Sequence, residues 1–150
     1  MPGSPILIQS LPGETIDRLT GLQIVELPMT ADDRRRVRRL VQAPDGATLA
    51  LELPTGTRLA AGQVLHISNG RAYVASAAPE DVLVVHPRDV AEAARVGHLI
   101  GNLHRDIDLQ GHTIVALWDQ ALDDRLRRAG VPVERSERPF RGAPPAEHSH

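Results

Sequence analysis

The chain has 150 residues, enough for one domain or two small ones with a buried core, and its formal net charge of −2 gives no bulk attraction to nucleic acid or to an acidic surface. It has no cysteine, which excludes disulfides and thiolate ligands and leaves imidazole, carboxylate, backbone or water to hold any metal. Trp118, Tyr73 and Phe140 are the whole aromatic complement, too few for the stacking platforms that bind single-stranded RNA or DNA.

The first half reads as short strands cut by turns. Ile6 to Ile8 and Leu22 to Leu27 are aliphatic runs bounded by Pro12-Gly13 and Pro28. Arg34-Arg35-Arg36-Val37-Arg38-Arg39 suits either a basic patch for an acidic partner or, more commonly for such a run, the solvated face of an edge strand, where charge discourages unwanted pairing. Pro44-Asp45-Gly46 is a turn, and Thr48 to Leu53 alternates, with Leu49, Leu51 and Leu53 on one side. Val64 to Ile67 and Ala72 to Ala75 flank Asn69-Gly70, the strongest short-range hairpin signal in the chain. Residues 1–76 are therefore expected to form a β-rich domain.

Ser76-Ala77-Ala78-Pro79-Glu80-Asp81 is small, polar and proline-containing, as a domain boundary is. Val82 to Val85 follows as a continuous apolar strand, and a helix is expected from about Arg88 to Ile100, with Asp89 and Glu92 near its positive end. Val90, Ala93, Ala94 and Gly97 recur at helical spacing. Ile107 to Leu109 and Thr113 to Leu117 surround Gly111-His112. Asp119 caps a second helix that stops at Gly130, with Leu122, Leu126 and Ala129 on one face, and Val131 to Arg135 is the last strand. The fold class is α+β, and the order strand, helix, strand, strand, helix, strand over residues 77–140 is that of a ferredoxin-like (βαββαβ) domain. Residues 141–150 form a proline-rich, His-containing tail, expected to be flexible.

The chemistry rests on histidines. His98 and His104 are six apart, about 240° around a helix, and cannot chelate one ion from a continuous helix. His98 lies in an apolar segment and suits a packed or hydrogen-bonded role. His104 falls just past the helix end, where its ring can face outward; taken alone it suits a surface or capping role, and a single imidazole is a poor metal site, but two brought together by a symmetric dimer begin to be one. His148-Ser149-His150 is a pair on a small-residue tail that can fold over a nearby ion, while a solvated tail is the plainer alternative. His66, His86 and His112 have no partner at ligand spacing and are assigned to structure. A P-loop would need a lysine the chain lacks, and no nucleophile elbow, His-Glu-x-x-His or carboxylate pair in a cleft is present, so no enzyme is expected. The start has no basic region followed by a long apolar run, no later stretch is apolar enough for a bilayer, and the expected compartment is the cytoplasm.

These residues resemble the UreE-type urease accessory metallochaperones over most of the chain. Gly101-Asn102-Leu103-His104 is similar to that family's Gly-Asn-x-His motif, Asp119 to Gly130 to its second C-terminal helix, and Arg138-Pro139-Phe140 to the Pro-Phe that follows. Asp45-Gly46, Leu51 to Thr57 and Leu59 to Leu65 resemble its N-terminal domain. The resemblance implies a β-rich partner-binding domain (1–76) and a ferredoxin-like domain (77–140) that dimerises. It implies Ni(II) as cargo at the two-fold axis, bound by His104 of each subunit, and delivery to the urease apoprotein assembly complex with the accessory GTPase UreG. No nucleic-acid or membrane partner is implied. Some members carry further histidines where this chain has Trp118-Asp119-Gln120, and many end in a long histidine-rich tail where this one has two, so a low-capacity carrier is expected rather than a nickel store. His148 and His150, or water, would complete the ligand set around His104.

Two rivals remain at this stage. One is a protein-interaction adaptor of the same fold with little metal transfer. The other is Zn(II) or Cu(II) handling, because nitrogen sites favour copper over nickel.

Overall fold

A computed structural model of the chain describes residues 3–145. The chain divides into two compact units between Ala77 and Ala78. Mostly strands, with few helices, make up this α+β protein.

The N-terminal unit contains β1 (Ile6–Ile8), β2 (Gln23–Met29), α1 (Ala31–Arg35), β3 (Arg38–Gln42), β4 (Thr48–Glu52), β5 (Val64–Ser68) and β6 (Arg71–Ala77). They form two three-stranded sheets, β1-β4-β3 and β2-β6-β5. β5 and β6 are the hairpin read from Asn69-Gly70, whose φ angles of 51° and 73° make the turn that fits the twist of paired strands. The β1/β4 and β2/β6 pairs are parallel, a long-range arrangement that local turn signals cannot reveal. Val25, Leu27 and Met29 alternate inward from β2 and meet Leu49, Leu51, Leu53 and Tyr73 in one core. Each buried Leu in it contributes on the order of 1.5–3 kcal/mol over exposure.

Two expectations are corrected here. Pro28, read as a strand boundary, lies within β2 and is tolerated because β2 is a sheet edge with no neighbour on its other side among the described strands. The run Arg34 to Arg39 is not one solvated strand face. Thr30 and Asp33 form a reciprocal capping box that starts α1, so Arg34 and Arg35 are helical and only Arg38 and Arg39 enter β3. Arg34 is 3% exposed, and its Nη1 donates to the Met29 carbonyl at 2.7 Å.

The C-terminal unit contains β7 (Pro79–Val85), α2 (Val90–Asn102), β8 (Asp108–Gln110), β9 (Thr113–Leu117), α3 (Gln120–Arg128) and β10 (Val133–Pro139). Its one sheet has the order β10-β7-β9-β8 with every neighbouring pair antiparallel. The boundary stretch read as a linker is occupied by the ends of β6 and β7, leaving only Ala78 between them. Val82 to Val85 are fully buried, as an apolar run on a central strand should be. Leu83 and Val85, with Ile114 and Ala116 beside them on β9, form one face, against which Val96 and Ile100 of α2 and Leu122 and Leu126 of α3 pack. Both helices cover the same face. Their far ends are tied by Arg88, which pairs with the buried Glu92 carboxylate at 2.5 Å and donates to the Gly130 carbonyl at 3.0 Å. β10 extends four residues past the expected Arg135, and its charged, alternating sequence suits its place at the sheet edge. Among the described residues no helix is long and apolar enough to cross a membrane.

Candidate metal centre

The site is built on α2. Asp89 caps the helix, its carboxylate accepting from the Glu92 amide at 2.7 Å. Glu92, Val96 and Ile100 recur every four residues and face the core, with Ala93 and Leu99 beside them. The Val90 and Ala94 spacing read from the sequence therefore marks the outward side. Val90 is 86% exposed, and Ala94, His98, Gly101 and Asn102 are exposed as well. A Cβ added at Gly97 or Gly101 would meet nothing within 4 Å. The chain gains no internal packing from either glycine, while a glycine inside a helix costs about 0.5–1 kcal/mol relative to alanine.

The helix ends in a tight backbone motif. The His104 amide donates to the Gly101 carbonyl at 2.9 Å and the Arg105 amide to the Ile100 carbonyl at 3.3 Å. This is the Schellman arrangement, in which the residue after the cap turns into the left-handed region, a place usually taken by glycine. Here it is His104, with φ of 57°. Such a conformation costs a residue with a Cβ about 1–2 kcal/mol. The ring it presents is exposed, as the sequence led one to expect.

The neighbouring groups hold this corner. Arg105 Nη2 reaches Asp119 Oδ2 at 3.3 Å, linking the residue after His104 to the cap of α3, whose other carboxylate oxygen accepts from the Ala121 amide. Asp119 is thereby occupied with structure, and the Trp118 ring lies against the Arg135 guanidinium at 3.7 Å. Asn102 Nδ2 donates to His98 Nε2 at 3.2 Å, so the Asn of the Gly-Asn-x-His segment orients the histidine one turn back and not His104. His98 is hydrogen-bonded, on the exposed side of the helix. The Schellman turn at a histidine and the Arg105–Asp119 link were missed from the sequence; the only prior signal was the Gly-Asn pair near the helix end.

The remaining histidines are dispersed. His66 sits on β5 beside the Tyr73 ring, His86 Nε2 lies 3.1 Å from Glu134, and His112 occupies the β8–β9 turn. His148 and His150 lie outside the described residues. Among the described residues no three His, Asp or Glu side chains come together as a metal cage. Among the described residues His104 is thus one exposed imidazole at a helix end, with fewer ligating neighbours than a divalent ion needs.

Two carboxylates in this unit are held below their usual range. Glu92 is lowered by the Arg88 side chain first and by the Arg88 amide next, and Asp81 by the Arg135 guanidinium, which contacts both its oxygens at 2.9 and 2.6 Å. Neither lies at the His104 end of α2, and both belong to the frame.

The family model described as UreE urease accessory protein, N-terminal domain, matches residues 8–78, and that for the C-terminal domain matches residues 80–150. The chain belongs to the UreE family. It is 55% identical over 130 residues to the urease accessory protein UreE of Synechococcus sp. (strain JA-3-3Ab), covering 87% of each chain. It is 54% identical over 124 residues to the UreE of Deinococcus radiodurans, covering 83% of this chain and 80% of that one. A more distant UreE, from Arthrobacter sp. (strain FB24), is 35% identical over 157 residues and covers 95% of this chain. Within the UreE family frame, the boundary between the two matched domains falls where the two compact units divide.

Proposed function

We propose that this UreE-family protein is a homodimeric nickel carrier for urease maturation, with His104 from each of two subunits supplying the ion's first two ligands. The observation that carries this reading is the exposed imidazole held at φ of 57° where glycine is the unstrained choice. Strain of this kind persists where the side chain is needed, and imidazole is a common ligand for late transition metals. The outward face of α2 supports the dimer. Val90, Ala94, Gly97 and Gly101 form an apolar strip leading to His104, and the two glycines would let a second helix approach closely. In this reading the C-terminal unit is a ferredoxin-like dimerisation domain and residues 1–76 contact partners. His148 and His150 supply further ligands. The cargo passes in the cytoplasm to the urease apoprotein complex with the GTPase UreG.

The chemistry suits delivery. Two imidazoles leave the ion open to water, to tail histidines or to an acceptor's ligands, so release needs no unfolding. Zn(II) and Cu(II) would bind the same nitrogens in vitro. The experiment is a nickel titration of wild type and His104→Gly with mass measured alongside. Loss of the tight site in the variant supports the reading, and an unchanged site refutes it.

A further inference from the structure

Among the described strands each sheet ends in two open edges, and all of these edges but one carry a device that discourages pairing. β1 and β8 are only three residues long. β3 presents Arg38 and Arg39, β10 carries Glu134, Arg135, Glu137 and Arg138, and β5 has a bulge between Val64 and His66. β2 is the exception. It runs for seven residues with Glu26 as its one charged residue, and Ile24 is 36% exposed on it.

The free side of β2 has unused hydrogen-bonding capacity. The Gln23 amide donates to the Gly70 carbonyl at 2.9 Å and β2 runs parallel to β6, so the backbone groups of Gln23, Val25 and Leu27 turn toward β6 and those of Ile24 and Glu26 turn away. No described strand takes up those N–H and C=O groups. Pro28, with a carbonyl but no N–H, ends the row. Alongside lies a groove of about 920 Å³, lined by β2 from Gln23 to Glu26 and at Pro28, and across from it by Gln42 to Asp45. The second wall is fixed in place. Asp45 Oδ1 accepts from the Ala47 amide at 3.0 Å, and its Oδ2 accepts from the Tyr73 hydroxyl at 2.8 Å and from Arg71 Nη1 at 2.9 Å. Arg71 and Tyr73 belong to β6, the neighbour of β2, so the turn and the open edge are anchored to the same strand.

We propose that this edge takes an extended segment of a partner protein as a fourth strand of the β2-β6-β5 sheet, with an aliphatic side chain opposite Ile24 and a Lys or Arg opposite Glu26. The inference rests on the reading of residues 1–76 as the partner-contacting unit, and it uses nothing of His104. Main-chain bonds to Ile24 and Glu26 supply attraction whatever the partner's sequence, and side chains at alternate positions choose the partner. The groove is already formed, which leaves less to be ordered on binding. A second copy of the chain fits worse. Antiparallel pairing of two β2 edges sets Glu26 against another Glu26 or against an uncharged residue, so its charge goes unanswered.

The test uses the full-length, metal-free protein and an acetylated, amidated peptide, Thr-Val-Thr-Arg-Thr-Val-Thr, in which Val and Arg stand two apart as Ile24 and Glu26 do. Saturable amide shifts should concentrate on residues 23–28 and 42–45, and the Ile24 and Glu26 amides should become protected from hydrogen exchange. Of two peptides N-methylated on alternate residues, one should lose binding and the other keep it, because only one set of amides faces β2. Glu26→Lys should weaken the Arg peptide roughly tenfold and favour a peptide with Glu in place of Arg. Nickel titration of Glu26→Lys should match the wild type, so failure of the nickel reading leaves this test intact. Shifts absent at saturating peptide, equal behaviour of the two methylated peptides, or a charge preference unmoved by Glu26→Lys overturns the proposal. Ile24 and Glu26 amides already protected in the free protein, and more so at higher protein concentration, assign the edge to a second copy and overturn it as well.

Discussion

The amide of His104 closes onto the carbonyl of Gly101 at 2.9 Å, and that bond fixes the imidazole in a left-handed backbone conformation at the end of α2. The turn would form more readily with glycine. Two consequences separate: the histidine weakens the fold slightly, and its ring is carried on a part of the backbone with little freedom to move.

Replacing His104 tests both. His104→Gly relieves the left-handed strain, and His104→Ala keeps it. The glycine variant should be more stable than the alanine variant by about 1 kcal/mol, measured by urea denaturation, and both should lose the tight nickel site. Equal stability of the two variants would show that the turn carries no strain.

Gly97 and Gly101 have open space where a Cβ would go. Gly97→Leu should therefore leave the subunit folded, with a helix more stable by up to about 1 kcal/mol, and should shift the proposed dimer to monomer in sedimentation equilibrium. A Gly97→Leu protein that stays dimeric places the subunit contact elsewhere.

Arg34 tests the independence of the two units. Its guanidinium is buried and donates to the Met29 carbonyl at 2.7 Å. Arg34→Ala leaves that buried acceptor short of a donor, at a cost of about 1–3 kcal/mol. Denaturation should show the loss in the N-terminal unit, with nickel affinity unchanged.

The frame of the C-terminal unit should weaken in acid. Glu92 and Asp81 titrate below their usual range in the folded chain, the first through Arg88 and the second through Arg135. A folded value below the unfolded one gives stability that is complete above the ordinary carboxylate range and is lost as pH falls through the folded value. Wild type should lose stability more steeply than Glu92→Gln between pH 6 and pH 3, by urea midpoint at each pH. Parallel curves would show that the Arg88–Glu92 pair contributes nothing to the dependence.

Much of this was readable in the sequence because it was local. Asp89 and Asp119 announced two helix starts, Asn69-Gly70 a hairpin, and the unbroken Val82 to Val85 a central strand; the element order of the C-terminal unit followed from them. What depended on distant partners was hidden. The parallel β1/β4 and β2/β6 pairs join segments about forty to fifty residues apart, and the burial of Arg34 depends on a capping box that breaks the arginine run in two. At the site, the position of His104 past the helix end was legible, but its left-handed backbone was not, because glycine is the residue that usually signals such a turn. The acceptors of the last described amides were equally silent: Asp106 and Asp108 look like solvated charges until Arg141 and Ala143 are laid against them.

The central claim is that two subunits share one nickel ion through His104. The most direct measurement is calorimetric nickel titration of the full-length protein and of His104→Gly, with mass determined on the same samples. The account predicts one tight ion per two chains in the wild type and none in the variant, which stays folded. A tight site that survives in His104→Gly, or one that fills with one ion per single chain, would contradict it.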